Sequence, residues 1–315
     1  NASDGQPILL PRIMALQDID EEEAMLSGAS TSGLALNFAP PITSLRRQIL
    51  LARQIMALPG PDGDKPRLAQ AVMLAQELGR LLDQVQTEQL SFDSLGSIVP
   101  DNLAEHWQVT LAFLKLVTDH WPEILNDNGA SDPADHRNQV FAAQAAAWLT
   151  TPPNGLIIAA GSTGSIPATQ DLLSAVATLP TGCIVLPGLD QVLDSESWEV
   201  LEETHPQYTL KALLATLNVD RSDISKWPHQ CADAHNHREH LVSEIMRPAS
   251  TSDQWRTLDH LESDSVSGIQ RIEAPTPREE AVSIALIMRS VLEDEKRTAA
   301  LITPDRTLAR RVSAE

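Results

Sequence analysis

Apolar positions along this chain follow two different periods, and the changes between them mark out its elements. Leu156–Ala160 is a short continuous apolar run, as in a parallel strand buried on both faces, and Gly161, Ser162, Thr163 and Gly164 interrupt it. Leu172, Leu173, Val176 and Leu179 then fall at i, i+1, i+4 and i+7, the stripe of a helix, and Cys183–Leu186 is a second strand before Pro187-Gly188. The spacing predicts a βαβ unit. A second pattern of this form closes the chain: a strand at Ile269–Glu273, and a helix from Pro277 bearing Ala281, Ile284, Ala285, Met288, Val291 and Leu292. A strand follows at Ala299–Ile302, and Asp305 is placed to cap a further helix.

Between Ala39 and Thr150 the pattern is helical throughout. One helix, capped by Thr43 or Ser44, is expected to bury Leu45, Ile49, Ala52, Ile55 and Met56 and to end at Pro59-Gly60-Pro61. A second, Pro66–Val85, carries Leu68, Val72, Ala75, Leu78 and Leu82 on one side. A third starts at Asp101 with Leu103, Trp107, Leu111, Leu114 and Val117, and an alanine-rich fourth spans Pro133–Leu149. This reads as a helical bundle inserted between the βαβ unit and a first strand, Ile8-Leu9-Leu10. The acidic run Asp18 to Glu23 suits a solvated loop, a first helical turn or a metal, and Gly28–Gly33 is a flexible joint. Past Asp190, Gln207–Leu217 reads as a helix, Ser222–His240 as polar and irregular, and Trp255 and Leu258 mark a short helix.

A glycine loop between strand and helix is where α/β folds bind phosphate, through free N–H groups and the positive end of the helix. Here the accompanying chemistry is missing. The ATPase loop GxxxxGK needs a lysine for the outer phosphates and a hydroxyl for magnesium, and none of Lys65, Lys115, Lys211, Lys226 and Lys296 follows a glycine. GxGxxG and GxSxG are absent as well. Gly161, Ser162, Thr163, Gly164 and Ser165 are therefore either a packing turn or a phosphate loop of another kind. Cys231, His235, His237 and His240 lie close together with the donor types of a zinc site, but their spacing fits no standard finger, and a histidine-rich surface loop is the other reading.

Composition narrows the classes. The chain has 315 residues, 42% of them hydrophobic, enough for two domains of about 100–200 residues each. No run approaches the roughly 18 apolar residues of a membrane span, and the polar start is no signal peptide, so a soluble, cytoplasmic protein without membrane partners is expected. Two cysteines make no disulfide framework. The net charge is −20, with 19 acids against 9 bases over 1–150, 16 against 6 over 151–268, and 8 against 8 over 269–315. Such a surface repels phosphate, so weak, salt-sensitive nucleic-acid binding is expected of the chain alone. Asn1-Ala2 reads as a tag remnant and the last helix as interrupted, so a piece of a longer protein is expected.

Long phrases in a fixed order carry a resemblance: LLPRIMALQDIDEEE, PPITSLRRQILLARQI, AAGSTGSIPATQDLLSAVATLPTGCIVLPGLD, HPQYTLKALLATLNV, and EEAVSIALIMRS followed by AALITPDRTLARRV. They span nearly the whole chain, which resembles the AddB family, the non-motor subunits of bacterial AddAB helicase–nucleases, in its alphaproteobacterial form. The resemblance implies a RecA-like, P-loop-NTPase-like α/β fold. In that layout 3–37 and 151–266 form a degenerate RecA-like domain, 38–150 a helical insertion, and 267–315 the start of a second RecA-like domain. It also implies double-strand-break repair, an AddA-type motor subunit as partner, and single- and double-stranded DNA in the complex.

Active motors of this type end a strand with Asp-Glu, and the matching position here is Ala160-Gly161. Where the next strand should lead to a Gly-Asp and a Gln, this chain has Pro187-Gly188-Leu189-Asp190. No ATPase is therefore expected. The family's nuclease residues and the cysteines of its iron–sulfur cluster fall beyond this chain, so neither catalytic residues nor a cofactor is expected within it. Arg12, Arg306 and Arg310 match positions where helicase domains present strand-contacting loops, or are simply exposed arginines. An alternative is a free-standing α/β enzyme that binds a phosphorylated or nucleotide ligand at GSTGS, with His205 or the His235–His240 cluster supplying acid–base chemistry.

Overall fold

The computed structural model describes residues 13–16, 38–58, 65–91, 116–227, 233–258, 261 and 263–315. The Ile8–Leu10 strand, the acidic run, the Gly28–Gly33 joint, the Pro59-Gly60-Pro61 stop and nearly all of the third helix lie outside them. The chain is predominantly helical with a two-stranded parallel sheet, and it divides into two compact units. One holds the described residues of Asn1–His229 with Met246–Arg256, and the other those of Gln230–Ile245 with Thr257–Glu315.

The first unit opens with α1 (Ser44–Ala57) and α2 (Leu68–Thr87), followed by α3 (Trp121–Asp127) and α4 (Pro133–Thr150). Thr43 occupies the N-cap position of α1 but makes no side-chain capping bond. The helices sit where their periodicity puts them, but α1 is rotated from expectation. Arg47, Leu51, Ala52 and Ile55 are buried, whereas Leu45, Ile49 and Met56 are 67%, 51% and 37% exposed. On α2 the core takes Ala71, Ala75, Leu78, Gly79 and Leu82, and Leu68 and Val72 stay outside.

An ion cluster accounts for the rotation. The Arg47 guanidinium pairs with Asp132 at 2.9 Å and donates to Asp83 at 2.7 Å, and Asp132 also accepts from Trp121 and Gln86 at 2.8 Å each. Asp132 Oδ2 takes the two aligned hydrogen bonds, while Oδ1 is met by the Arg47 charge without an aligned hydrogen bond. A buried carboxylate needs such a counter-charge, which the arginine face of α1 supplies by turning inward.

The βαβ unit forms as its spacing predicts. β1 (Ile157–Ala160) pairs in parallel with β2 (Gly182–Val185), Ile157 opposite Gly182 and Ala160 opposite Val185, and α5 (Pro167–Thr178) crosses between them. Leu172, Leu173, Val176 and Leu179 are all buried, and α5 packs against Phe141, Ala145 and Trp148 of α4. The continuous apolar run of β1 is not buried on both faces, however. Ile157 and Ala159 pack towards α5, while Ile158 is 52% exposed, because the described residues cover only one face of this small sheet. Then come α6 (Ser195–Glu199), α7 (Tyr208–Leu217) and, at Ala249–Arg256, a 3₁₀ stretch where a short helix is expected.

In the second unit, residues read as irregular form α8 (Asp233–Ile245). Its hold is largely polar: Arg238 donates to the carbonyls of Ser265 and Ser267, and Ser243 and Glu244 are buried along with Leu241, so the apolar period that would have announced it is sparse. α9 (Pro277–Leu292) is capped by Thr276, whose hydroxyl accepts from the Glu279 N–H at 3.2 Å. α10 (Arg306–Ala314) is capped by Asp305 as expected, through the Thr307 N–H at 2.7 Å. The strands expected at Ile269–Glu273 and Ala299–Ile302 pair with nothing among the described residues. Extended backbone becomes a strand only beside a partner, and here Ile269, Ile272 and Ile302 stand 57%, 59% and 94% exposed.

Candidate functional site

In a parallel α/β unit the ligand side is the C-terminal edge of the strands. Here that edge carries two loops, Gly161–Ser165 after β1 and Pro187–Asp190 after β2. Gly161 closes onto β2 by donating its N–H to the Val185 carbonyl at 3.0 Å.

The two loop glycines do different work. Both have positive φ, +80° at Gly161 and +64° at Gly164, a region that favours glycine. A Cβ on Gly161 would meet nothing within 4 Å, but one on Gly164 would lie 3.0 Å and 3.2 Å from the methyl carbons of Leu213 on α7. Gly164 is thus a packing contact as well as a turn. Its N–H donates to the Ser162 hydroxyl at 3.2 Å, so that serine is turned towards its own loop. The start of α5 offers little to an anion. Of the first three helical positions Pro167 has no N–H and that of Thr169 turns back onto the Ile166 carbonyl at 2.9 Å, which leaves the N–H of Ala168.

The second loop is held just as firmly. Oδ1 of Asp190 accepts from the N–H groups of Val192 and Leu193 at 2.8 Å and 2.9 Å, so the carboxylate nearest the strand ends fixes the chain turn after β2. Gln207 spans the loop, accepting from the Asp190 N–H and donating to the Gly188 carbonyl, each at 2.9 Å. Arg221 donates to the carbonyls of Asp190 and Leu193, and its guanidinium lies 4.4 Å from the centre of the Trp198 ring. These roles of Asp190, Gln207 and Arg221 escape sequence reasoning, since they join segments far apart in the chain. Only the Asp-x-Val-Leu turn after β2 carries a local signal.

His205 is also engaged. Its Nδ1 accepts from the Gln207 N–H at 3.1 Å, which leaves the proton on Nε2 to donate to the Met246 carbonyl at 2.7 Å. With both ring nitrogens bonded in the fold, it is poorly placed for acid–base chemistry. Beside it, Arg247 is a buried hub that donates to Asp194 at 2.5 Å, Ser197 at 2.6 Å and Gln254 at 2.8 Å. Burial pushes the Asp194 carboxyl up, but hydrogen bonds from Ser197 and Arg247 and the arginine charge outweigh it and lower the pKa to about 2. This hub ties Met246–Arg256 to α6.

The remaining candidates are scattered. Arg12 and Cys231 lie outside the described residues, as does the side chain of His235. His237 and His240 sit one turn apart on α8, and among the described residues no three metal-ligating side chains come together. Arg306 and Arg310 are exposed on one side of α10, four residues apart. The Asp305 carboxyl beside them is held below its usual range by the N–H groups of Thr307 and Leu308, with a contribution from Arg311. Comparison with protein-family models, with curated proteins and with solved structures found no match for this chain.

Proposed function

We propose that this chain is the non-motor subunit of a double-strand-break repair helicase–nuclease of the AddAB type. Its RecA-like core scaffolds an AddA-type motor subunit and takes part in strand recognition, with no ATPase or nuclease chemistry of its own in these residues. The observation that carries the reading is the state of the loops after β1 and β2. They keep the strand–glycine–helix frame of a nucleotide-binding domain, yet Ser162, Gly164, Asp190 and Gln207 are all committed to holding the loops themselves. No lysine follows a glycine there to meet a phosphate. A motor that lost its substrate but kept a structural task would look like this.

Arg306 and Arg310 are the strand contacts in this reading, since the 269–315 stretch has balanced charge while the rest of the chain is acidic. Co-purification with an AddA-type motor subunit is the test. A stable complex is expected, and replacing both arginines by glutamate should weaken its binding of single-stranded DNA about tenfold at moderate salt. A full chain that never associates with such a motor would end the assignment.

A further inference from the structure

The rotation of α1 that buries Arg47 leaves an apolar stripe on the outside. Leu45, Ile49 and Met56 recur at i, i+4 and i+11, which places them on one side of the helix over about 16 Å. They are 67%, 51% and 37% exposed, and beside them Gln48 reaches the carbonyl of Val72, itself 36% exposed on α2. Arg46 and Arg53, seven residues apart, share the flank of this stripe. Helix α1 has three arginines and no acid, in a chain of net charge −20. Arg46 donates to a neutral amide, Asn128, at 2.7 Å, and neither Arg46 nor Arg53 has a carboxylate partner among the described residues.

We propose that this face of α1 is a docking surface for an acidic amphipathic helix of a partner protein. Such a helix would bring apolar anchors at i, i+3/i+4 and i+7 onto the stripe and carboxylates opposite Arg46 and Arg53. Charge complementarity decides among the occupants. In an antiparallel two-fold pairing of α1 with itself the arginine rows would face each other, which costs rather than stabilises. An anionic lipid surface or a nucleic acid extends well past Arg46 and Arg53 and meets the field of the acidic protein around them, whereas a single short helix can stay within about 10 Å of the two arginines. A carboxylate-flanked helix instead buries apolar surface on the stripe and sets its acids against Arg46 and Arg53, so both contributions are favourable. This inference does not depend on the assignment proposed above.

The test is fluorescence anisotropy with two labelled probes of about 20 residues, each with leucine at heptad a and d positions, one with glutamate and the other with lysine at e and g. The glutamate peptide should bind the full chain, with the lysine peptide at least about tenfold weaker. Ile49→Glu should abolish binding, and Arg53→Glu should reduce or reverse the preference; unchanged circular-dichroism melts would show that both variants fold. Absence of glutamate-peptide binding, or equal binding of both probes, would overturn the proposal. So would an Ile49-dependent self-association, or an Ile49-dependent binding of anionic vesicles or single-stranded DNA in its place.

Discussion

The chain writes the strand–helix–strand pattern twice, at Leu156–Leu186 and at Ile269–Ile302, and only the first becomes a sheet. Both helices form. α5 buries Ala168, Thr169, Leu172, Leu173, Ala175 and Val176 between the strands and α4, whereas α9, with its better cap at Thr276, buries Ala281 alone. Only the helical part of the pattern is local. A helix closes its own hydrogen bonds and needs only a cap and a start, which Thr276 and Pro277 supply. A strand needs another strand and a covered face, which the first copy finds in β2 and in the helices around it.

Amide exchange would expose the contrast most sharply. The amides of the β1–β2 ladder should exchange at least about a thousandfold more slowly than those of Ile269–Glu273 and Ala299–Ile302, and equal rates would erase the distinction. Side-chain truncation comes next. Leu172→Ala, at a site 1% exposed, should cost about 2–5 kcal/mol in denaturant melts, while Leu286→Ala on α9, 62% exposed, should stay within about 0.5 kcal/mol.

A smaller effect separates the two glycines of the first copy. Gly164→Ala should cost more than Gly161→Ala, since both strain a left-handed backbone by about 1–2 kcal/mol but only the former also presses on Leu213. Acid titration gives the finest resolution. Asp194 is held at about 2 in the fold against an ordinary 3.8, so its contribution is complete above about pH 4 and fades as pH falls towards 2. Asp194→Asn should therefore flatten the acid limb of stability in that window and leave its shape at neutral pH unchanged.

Much of the first copy was legible in the chain because one short stretch holds its whole logic. Leu172, Leu173, Val176 and Leu179 could face only one way once the strands lay on either side. α1 shows where such reading fails. It carries two apolar faces, Leu45/Ile49/Met56 and Leu51/Ile55, and the choice between them is made by the pairing of Arg47 with Asp83 and Asp132, residues far away in the chain. α8 escapes the pattern for a related reason, since Arg238 holds it through backbone carbonyls and its apolar period is sparse. At the candidate site, the absence of a lysine after the glycine loop is visible in the sequence. The commitment of Asp190 and Gln207 to the loop is not, because it depends on where α7 begins in space.

The proposed function requires that the loops after β1 and β2, where Ser162, Asp190 and Gln207 bond to the loops themselves, bind no nucleotide. Isothermal titration of the chain with ATP and magnesium tests it directly. No saturable heat is expected up to about millimolar ATP, with the melting temperature unchanged. Saturable binding that is lost in Ser162→Ala or Asp190→Asn would contradict the claim and return GSTGS to the reading of a working phosphate loop.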